Sequence, residues 1–261
     1  MTRNDTTDEA NENETTASGT TASGTTDRKV TDTDRPEKRA VILASGGMDS
    51  ATAAYEARER GYEPFFLHTS YGQRTEGKEF DCAKQQADEL DAGFLHVETS
   101  HLATIGGSSL TDDEMTVEDA DLESDEVPDT YVPFRNANLL SMAVSCAEAN
   151  DCDAVFIGAH SEDFSGYPDC RPQFFEAFQA VVETGTKDDT SIELVAPFVE
   201  FSKTDIAERG VELDVPYELT WSCYRAEEPA CGTCDSCALR LQAFQNVGER
   251  DPIEYEERPS Y

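Results

Sequence analysis

The chain has 261 residues, enough for one large domain carrying a small module. Its 55 Asp and Glu against 20 Lys and Arg give a formal net charge of −35, which argues against direct binding to nucleic acid or to anionic membranes at ordinary salt. No apolar run approaches a membrane span and no secretion signal opens the chain, so a cytoplasmic protein is expected.

The charge itself points to an environment. At molar salt the Debye length falls to about 3 Å, and crowded carboxylates repel one another far less. They also stay hydrated where lysine would expose more apolar stem. The composition therefore reads as that of a halophile.

Residues 1–37 are mostly Thr, Asn, Asp, Glu, Ser and Gly, and Ala-Ser-Gly-Thr-Thr occurs twice, at 17–21 and 22–26. This segment cannot bury enough apolar surface to offset the entropy of ordering it, so a disordered acidic tail is expected. From Arg39 the pattern alternates. Strand-like runs occupy 39–44, 64–69, 93–98, 153–159 and 192–196, and helical patterns lie near 49–61, 76–91, 134–150 and 171–184. Short apolar strands between amphipathic helices predict an α/β fold, a Rossmann-like parallel sheet with helices on both faces, over residues 38–215. The acidic stretch 111–126 interrupts this alternation, either as a loop or lid over the site or as a plain insertion.

The first strand runs directly into Ser45-Gly46-Gly47-Met48-Asp49-Ser50, with a helix expected behind it. Glycines let the backbone approach an anion closely, and a helix N-terminus adds its positive dipole end. The expected guest is a phosphate or pyrophosphate. No Lys follows the glycines, which excludes the Walker-type loop. In an open parallel sheet, ligands sit beyond the C-terminal ends of the strands, where this loop falls.

Four of the eight cysteines, Cys223, Cys231, Cys234 and Cys237, form a C-x7-C-x2-C-x2-C cluster. Four thiolates suit tetrahedral Zn²⁺, and a site closed by four protein ligands is structural. Gly232 in the Cys231–Cys234 knuckle lets backbone N–H groups turn toward sulfur. An iron–sulfur cluster and redox thiols are the alternatives. Residues 216–261 are read as a small zinc-binding helical module, with a helix from near Ala238. Trp221, Tyr224 and Arg240 are its candidate functional residues.

Several segments combine in order: SGGMDS (45–50), YGQRT (71–75), YVPFRN (131–136), DFSGYPDCR (163–171), and TWSCY with CGTCDSCALR (220–224 and 231–240). The first resembles the PP-loop of ATP pyrophosphatases. Together they resemble the 7-cyano-7-deazaguanine synthase family, from Arg39 to about Asn246. Phe134 stands where the family often has Gly, and Thr75 where it often has His.

The resemblance implies an adenine nucleotide alpha hydrolase-like fold and a ligase that forms C–N bonds. It converts 7-carboxy-7-deazaguanine and ammonia to the 7-cyano base (preQ0) for queuosine- or archaeosine-type nucleosides. ATP and Mg²⁺ are implied, with Zn²⁺ structural. Leu43 and Ala44, the loop Ser45, Gly46, Gly47, Met48, Asp49 and Ser50, and then Ala51, Thr52 and Ala53 form the expected nucleotide site. Asp49 either caps the helix or holds Mg²⁺. Arg135 and Lys203 are the candidate cations for the phosphates, with Ser45 and Asp49 beside them in the chemistry. Phe164, Tyr167 and Asp169 are expected on the base. Small-molecule substrates are the expected partners, and a homodimer is compatible with the chain without being dictated by it. Two other readings remain: a tRNA thiolation enzyme with the same loop, and a non-catalytic nucleotide-binding zinc protein.

Overall fold

A computed structural model describes residues 38–112, 114–122, 127–160 and 167–261. Five strands run in the order β3-β2-β1-β4-β5 and every pairing is parallel. They are β1 (Arg39–Leu43), β2 (Glu63–Ser70), β3 (Gly93–Glu98), β4 (Ala154–Phe156) and β5 (Glu193–Val195). The helices are α1 (Met48–Glu59), α2 (Glu76–Glu89), α3 (His101–Ile105), α4 (Arg135–Ala149), α5 (Pro172–Gly185), α6 (Lys203–Glu212) and α7 (Asp235–Val247).

The packing of strand β1 explains why its sequence is apolar from Ala40 to Leu43. Val41 and Leu43 pack with Leu140, Val155 and Phe175 on one face of the sheet. Ala40 and Ile42 pack with Ala54, Phe66 and Phe156 on the other. A strand covered on both faces has no polar side to present. From β1 the chain builds outward to β2 and β3, then returns to place β4 on the opposite flank. That reversal opens a crevice at the C-terminal ends of β1 and β4.

The run expected as a strand over 153–159 is shorter, Ala154–Phe156. Beyond it the backbone leaves the sheet toward α1, and a Cβ on Gly158 would lie 2.8 Å from the main chain of Asp49. Only glycine permits that approach. Helix α6 falls where no helical pattern is expected, although Ser202 and Asp205 form a reciprocal capping box at its start. Helix α7 begins at Asp235, ahead of the expected Ala238, because Cys234 is its N-cap. Among the described residues, no helix is long and apolar enough to cross a membrane.

His68 is fully buried in β2, and its Nδ1 lies 2.7 Å from the carbonyl of Ala44. It is a core residue that pins the end of β1 just before the glycine loop. Burial lowers its pKa from 6.5, with a smaller contribution from His96. A histidine kept neutral in the folded state binds fewer protons there than in the unfolded chain. Its stability contribution is present above pH 6.5 and is lost as pH falls below that value. His68→Gln should therefore flatten the loss of unfolding free energy below pH 6.5, measured by denaturant titration at fixed salt.

Candidate active site

The glycine loop packs against α2. Gly46 has φ +81°, and a Cβ there would fall 2.3 Å from the carbonyl oxygen of Glu79. The carbonyl of Gly46 accepts from Trp221 N at 2.9 Å and from Gln86 Nε2 at 3.0 Å, so the loop is held from two sides. Ser45 and Ser50 hydroxyls lie 3.2 Å apart, and Ser50 Oγ donates to the carbonyl of Gly47 at 3.1 Å. Gly47 is the N-cap of α1 and no side chain caps this helix. The first intrahelical bond runs from Ala51 N to Gly47 O, 3.1 Å, so the preceding amides have no partner within the helix. Such a terminus, with its dipole end open, has the geometry to accept an anion.

The loop forms one wall of a cavity of about 890 Å³, lined by Leu43, Ala44, Ser45, Gly47, Met48, Asp49 and Ser50, among other residues. Gly46, Ala51, Thr52 and Ala53 are not among its lining residues. Helix α1 turns the last three into the core: Ala51 packs with Ala207 and Phe244, and Ala53 with Phe198 and Ile206. Thr52 Oγ1 donates to Met48 O and lies 2.9 Å from Tyr217 Oη.

Lys203 and Arg135 both reach the cavity. Lys203 opens α6, is 7 % exposed, and donates to Asp49 Oδ2 at 2.6 Å. Asp49 thus pairs with a cation instead of capping α1. Its Oδ1 is buried and makes no hydrogen bond among the described residues. His160, from the segment after β4, brings Nε2 to 3.7 Å from Asp49 Oδ2. Sequence reasoning passed over His160 because nothing in its neighbours marks it; only the sheet order brings it to Asp49.

Arg135 opens α4. Its guanidinium donates to Tyr71 Oη at 3.3 Å and lies 5.9 Å from the centre of the Tyr167 ring. The preceding Phe134 takes the left-handed conformation, φ 58°, that glycine adopts without penalty. For a side-chain-bearing residue this costs roughly 1–2 kcal/mol. The Phe134 ring rests edge-on against Phe174, centroids 6.2 Å apart. The departure from the family pattern leaves Arg135 at the start of its helix.

Of the residues expected on the base, Tyr167 lines the cavity, with its hydroxyl 3.1 Å from Thr130 Oγ1. Asp169 is not among the lining residues: its Oδ2 accepts from the backbone N–H of Asn136 at 2.8 Å, satisfying an amide in the first turn of α4. Phe164 lies outside the described residues. Cys170 lines the cavity and sits 3.1 Å from Asn136 Nδ2. The described part of the acidic stretch is a cavity wall: Glu118, Asp119, Asp121 and Leu122 line it. Arg225 ties Asp119 at 2.7 Å, and Ala120 N donates to Thr233 O at 2.9 Å.

The four clustered cysteines converge, with their sulfurs within 4.8 Å of one another. Cys223 Sγ accepts backbone N–H bonds from Arg225, Ala226 and Cys231, and Cys231 Sγ from Thr233 and Cys234. Such bonds stabilise thiolates, and the donor set fits a tetrahedral metal. The same segment contributes Trp221 and Tyr224 to the cavity. Arg240 points elsewhere. It is fully buried, with Nε 2.7 Å and Nη2 2.9 Å from the two oxygens of Asp251. Breaking such a pair on one side leaves an uncompensated buried charge, so Arg240 is structural.

A parallel sheet that delivers a glycine loop and an uncapped helix to a switch-point cavity defines a PP-loop nucleotide-binding α/β protein. The family model "Queuosine biosynthesis protein QueC" matches residues 39–248, and the chain belongs to this family. It is 74% identical to the 7-cyano-7-deazaguanine synthase of Haloarcula marismortui over 227 residues, 86% of this chain and 98% of that one. Identity to the enzyme of the same name from Halobacterium salinarum is 75% over 225 residues, 86% of this chain and 98% of that one. For the one from Methanoculleus marisnigri it is 54% over 220 residues, 84% and 99%. The two nearer relatives come from halophiles, in keeping with the net charge.

Proposed function

We propose that this chain is an ATP-dependent C–N ligase that converts 7-carboxy-7-deazaguanine and ammonia to 7-cyano-7-deazaguanine. A carboxylate is a poor electrophile because its leaving group would be oxide. Attack of a carboxylate oxygen on the α-phosphorus of ATP releases pyrophosphate and gives an acyl-adenylate, whose leaving group is AMP. Ammonia displaces AMP and leaves the amide. A second ATP activates the amide oxygen, and loss of AMP with two N–H protons leaves the nitrile.

The protein's part is positioning and charge stabilisation. Ser45, Gly46, Gly47 and Ser50 cradle the polyphosphate, while Lys203 and Arg135 balance its charge. Mg²⁺ accompanying ATP would draw phosphate charge away from the α-phosphorus, and Asp49, with a buried oxygen left without a hydrogen bond, is its candidate ligand. Tyr167 offers a ring to the heterocycle. Asp169 acts at one remove, fixing the first turn of α4 from which Arg135 projects. Zn²⁺ is the proposed ion of the four cysteines, and its work is to hold 216–261 against the 38–215 sheet domain. A cytoplasmic location and small-molecule substrates, with no direct nucleic-acid contact, complete the proposal.

One observation carries the reading: the open α1 terminus, both cations and the Tyr167 ring line a single cavity. The test is purified protein at high salt with the carboxylic acid, ammonium, ATP and Mg²⁺, followed by mass spectrometry. The nitrile, AMP and pyrophosphate are expected. ATP bound but not consumed would contradict the proposal, as would AMP formed only when tRNA is added.

A further inference from the structure

Glu79 has no part in the scheme above. It lies in the first turn of α2, and its carbonyl oxygen is the atom that a Cβ on Gly46 would strike, so its main chain touches the phosphate cradle. Glu79 is among the residues lining the cavity. The carboxylate is aimed by two neutral donors, Thr75 Oγ1 to Oε1 at 2.8 Å and Gln73 Nε2 to Oε2 at 3.1 Å. Gln73 is in turn fixed by the N–H of Tyr71, which donates to its Oε1 at 2.8 Å. Thr75 and Gln73 are both buried.

Among the described residues no cation lies within ion-pair distance of Glu79. The charged and titratable groups facing it are Arg135 from α4, Tyr71 from the segment after β2, and Glu76 and Cys82 from its own helix. Two other carboxylates of the cavity are paired with cations: Asp49 with Lys203 at 2.6 Å and Asp119 with Arg225 at 2.7 Å. Burial raises the Glu79 pKa from 4.5, against the lowering effect of its two hydrogen bonds. A desolvated carboxylate without a counter-ion is a stronger base than a hydrated one, and it attracts a small cation.

Resting on the function proposed above, we propose that Glu79 is the general base of nitrogen transfer, binding ammonium and taking a proton from it beside the acyl-adenylate. One N–H bond breaks, its electron pair stays on nitrogen, and the proton moves to Glu79. The freed pair attacks the acyl carbon as the C–N bond forms. The C–O bond to AMP breaks and its electron pair leaves with AMP. The surplus proton on the new amide nitrogen passes to water. No atom changes oxidation state by electron exchange with a third party, and no further reactant is needed.

The wild-type protein tests this before any variant is made. Amide formation is followed at fixed total ammonium between about pH 7 and about pH 9. An enzyme that deprotonates ammonium itself keeps a nearly constant rate across this window. One that captures dissolved ammonia slows about tenfold for each pH unit below the pKa of ammonia. The second arm is Glu79→Gln with two nucleophiles, ammonium and hydroxylamine, the latter already unprotonated at neutral pH. The ammonium rate should fall by about 10²–10⁴-fold, and hydroxamate formation by less than about tenfold. A rate that follows free ammonia, equal losses with both nucleophiles, or weakened binding of the carboxylic acid would overturn the assignment. Acid-dependent exchange of pyrophosphate into ATP separates the two levels. Its absence in wild type would refute the ligase; where exchange is present, the nitrogen step alone decides for or against Glu79.

Discussion

Gly46→Ala should reduce kcat/KM for ATP by at least about 10²-fold while leaving the metal content of the protein unchanged. Two separate penalties meet at this position. The backbone sits at φ +81°, and the added methyl would fall 2.3 Å from a carbonyl oxygen, a backbone atom that no rotamer change can move away. The first penalty alone is roughly 1–2 kcal/mol. The second forces the loop off α2, and the loop cannot shift without breaking the bonds that Gly46 O accepts from Trp221 and Gln86. Displacing a phosphate cradle by about 1 Å is enough for a loss of this size. Gly61→Ala is the control. Gly61 has φ +84° with nothing near its missing Cβ, so it bears the strain without the clash and should keep full turnover. Kinetics of both variants with ATP as the varied substrate check the prediction; equal losses would assign the effect to backbone strain alone.

The second large effect is expected at the cysteine cluster. Cys234→Ser should lower bound metal well below that of wild type and lower Tm by about 10 °C or more, since a lost ligand at a structural site is worth several kcal/mol of folding free energy. Activity should fall with it, because Trp221 and Tyr224, which line the cavity, lie on the stapled segment. Cys82 provides the contrast. It is buried in the apolar cluster that holds Cys223, Cys234 and Cys237, and burial pushes its thiol up to about 11, so it is a neutral packing group. Cys82→Ala should leave the metal in place and cost no more than ordinary core truncation. Elemental analysis and thermal melts on the two variants distinguish a metal ligand from a buried thiol.

The elements legible in the sequence were those whose cause is local. Strand β1 declared itself because a run covered on both faces is apolar without interruption from Ala40 to Leu43, and β2 because Phe65, Phe66 and Leu67 continue that apolar layer beside it. The glycine loop was legible because two adjacent glycines between a strand and a helix have few other uses. The convergence of the four cysteines was legible because three of them are close in sequence as well as in space.

What stayed hidden depends on the order in which the chain returns to the sheet. His160 meets Asp49 only because β4 is laid beside β1. Glu79 becomes a cavity residue only because α2 packs on the glycine loop, and in the sequence it is one acid among many. Asp169 shows the reverse case. An acidic residue beside Tyr167 in a turn suggested a contact with the base, whereas the fold lays this turn across the start of α4, where an open amide claims the carboxylate. Ala51 and Ala53 pack into the core for a related reason: proximity in sequence to the loop says nothing about which side of α1 a residue occupies.

The central claim is that this cavity activates the acid by joining its oxygen to the α-phosphorus of ATP. The most direct measurement uses the carboxylic acid with both carboxyl oxygens replaced by a heavy isotope, with mass analysis of AMP after complete conversion. Adenylation at the acid and again at the amide predicts that every AMP carries a single heavy oxygen and that pyrophosphate carries none. Heavy oxygen in inorganic phosphate, or AMP without label, would contradict the account.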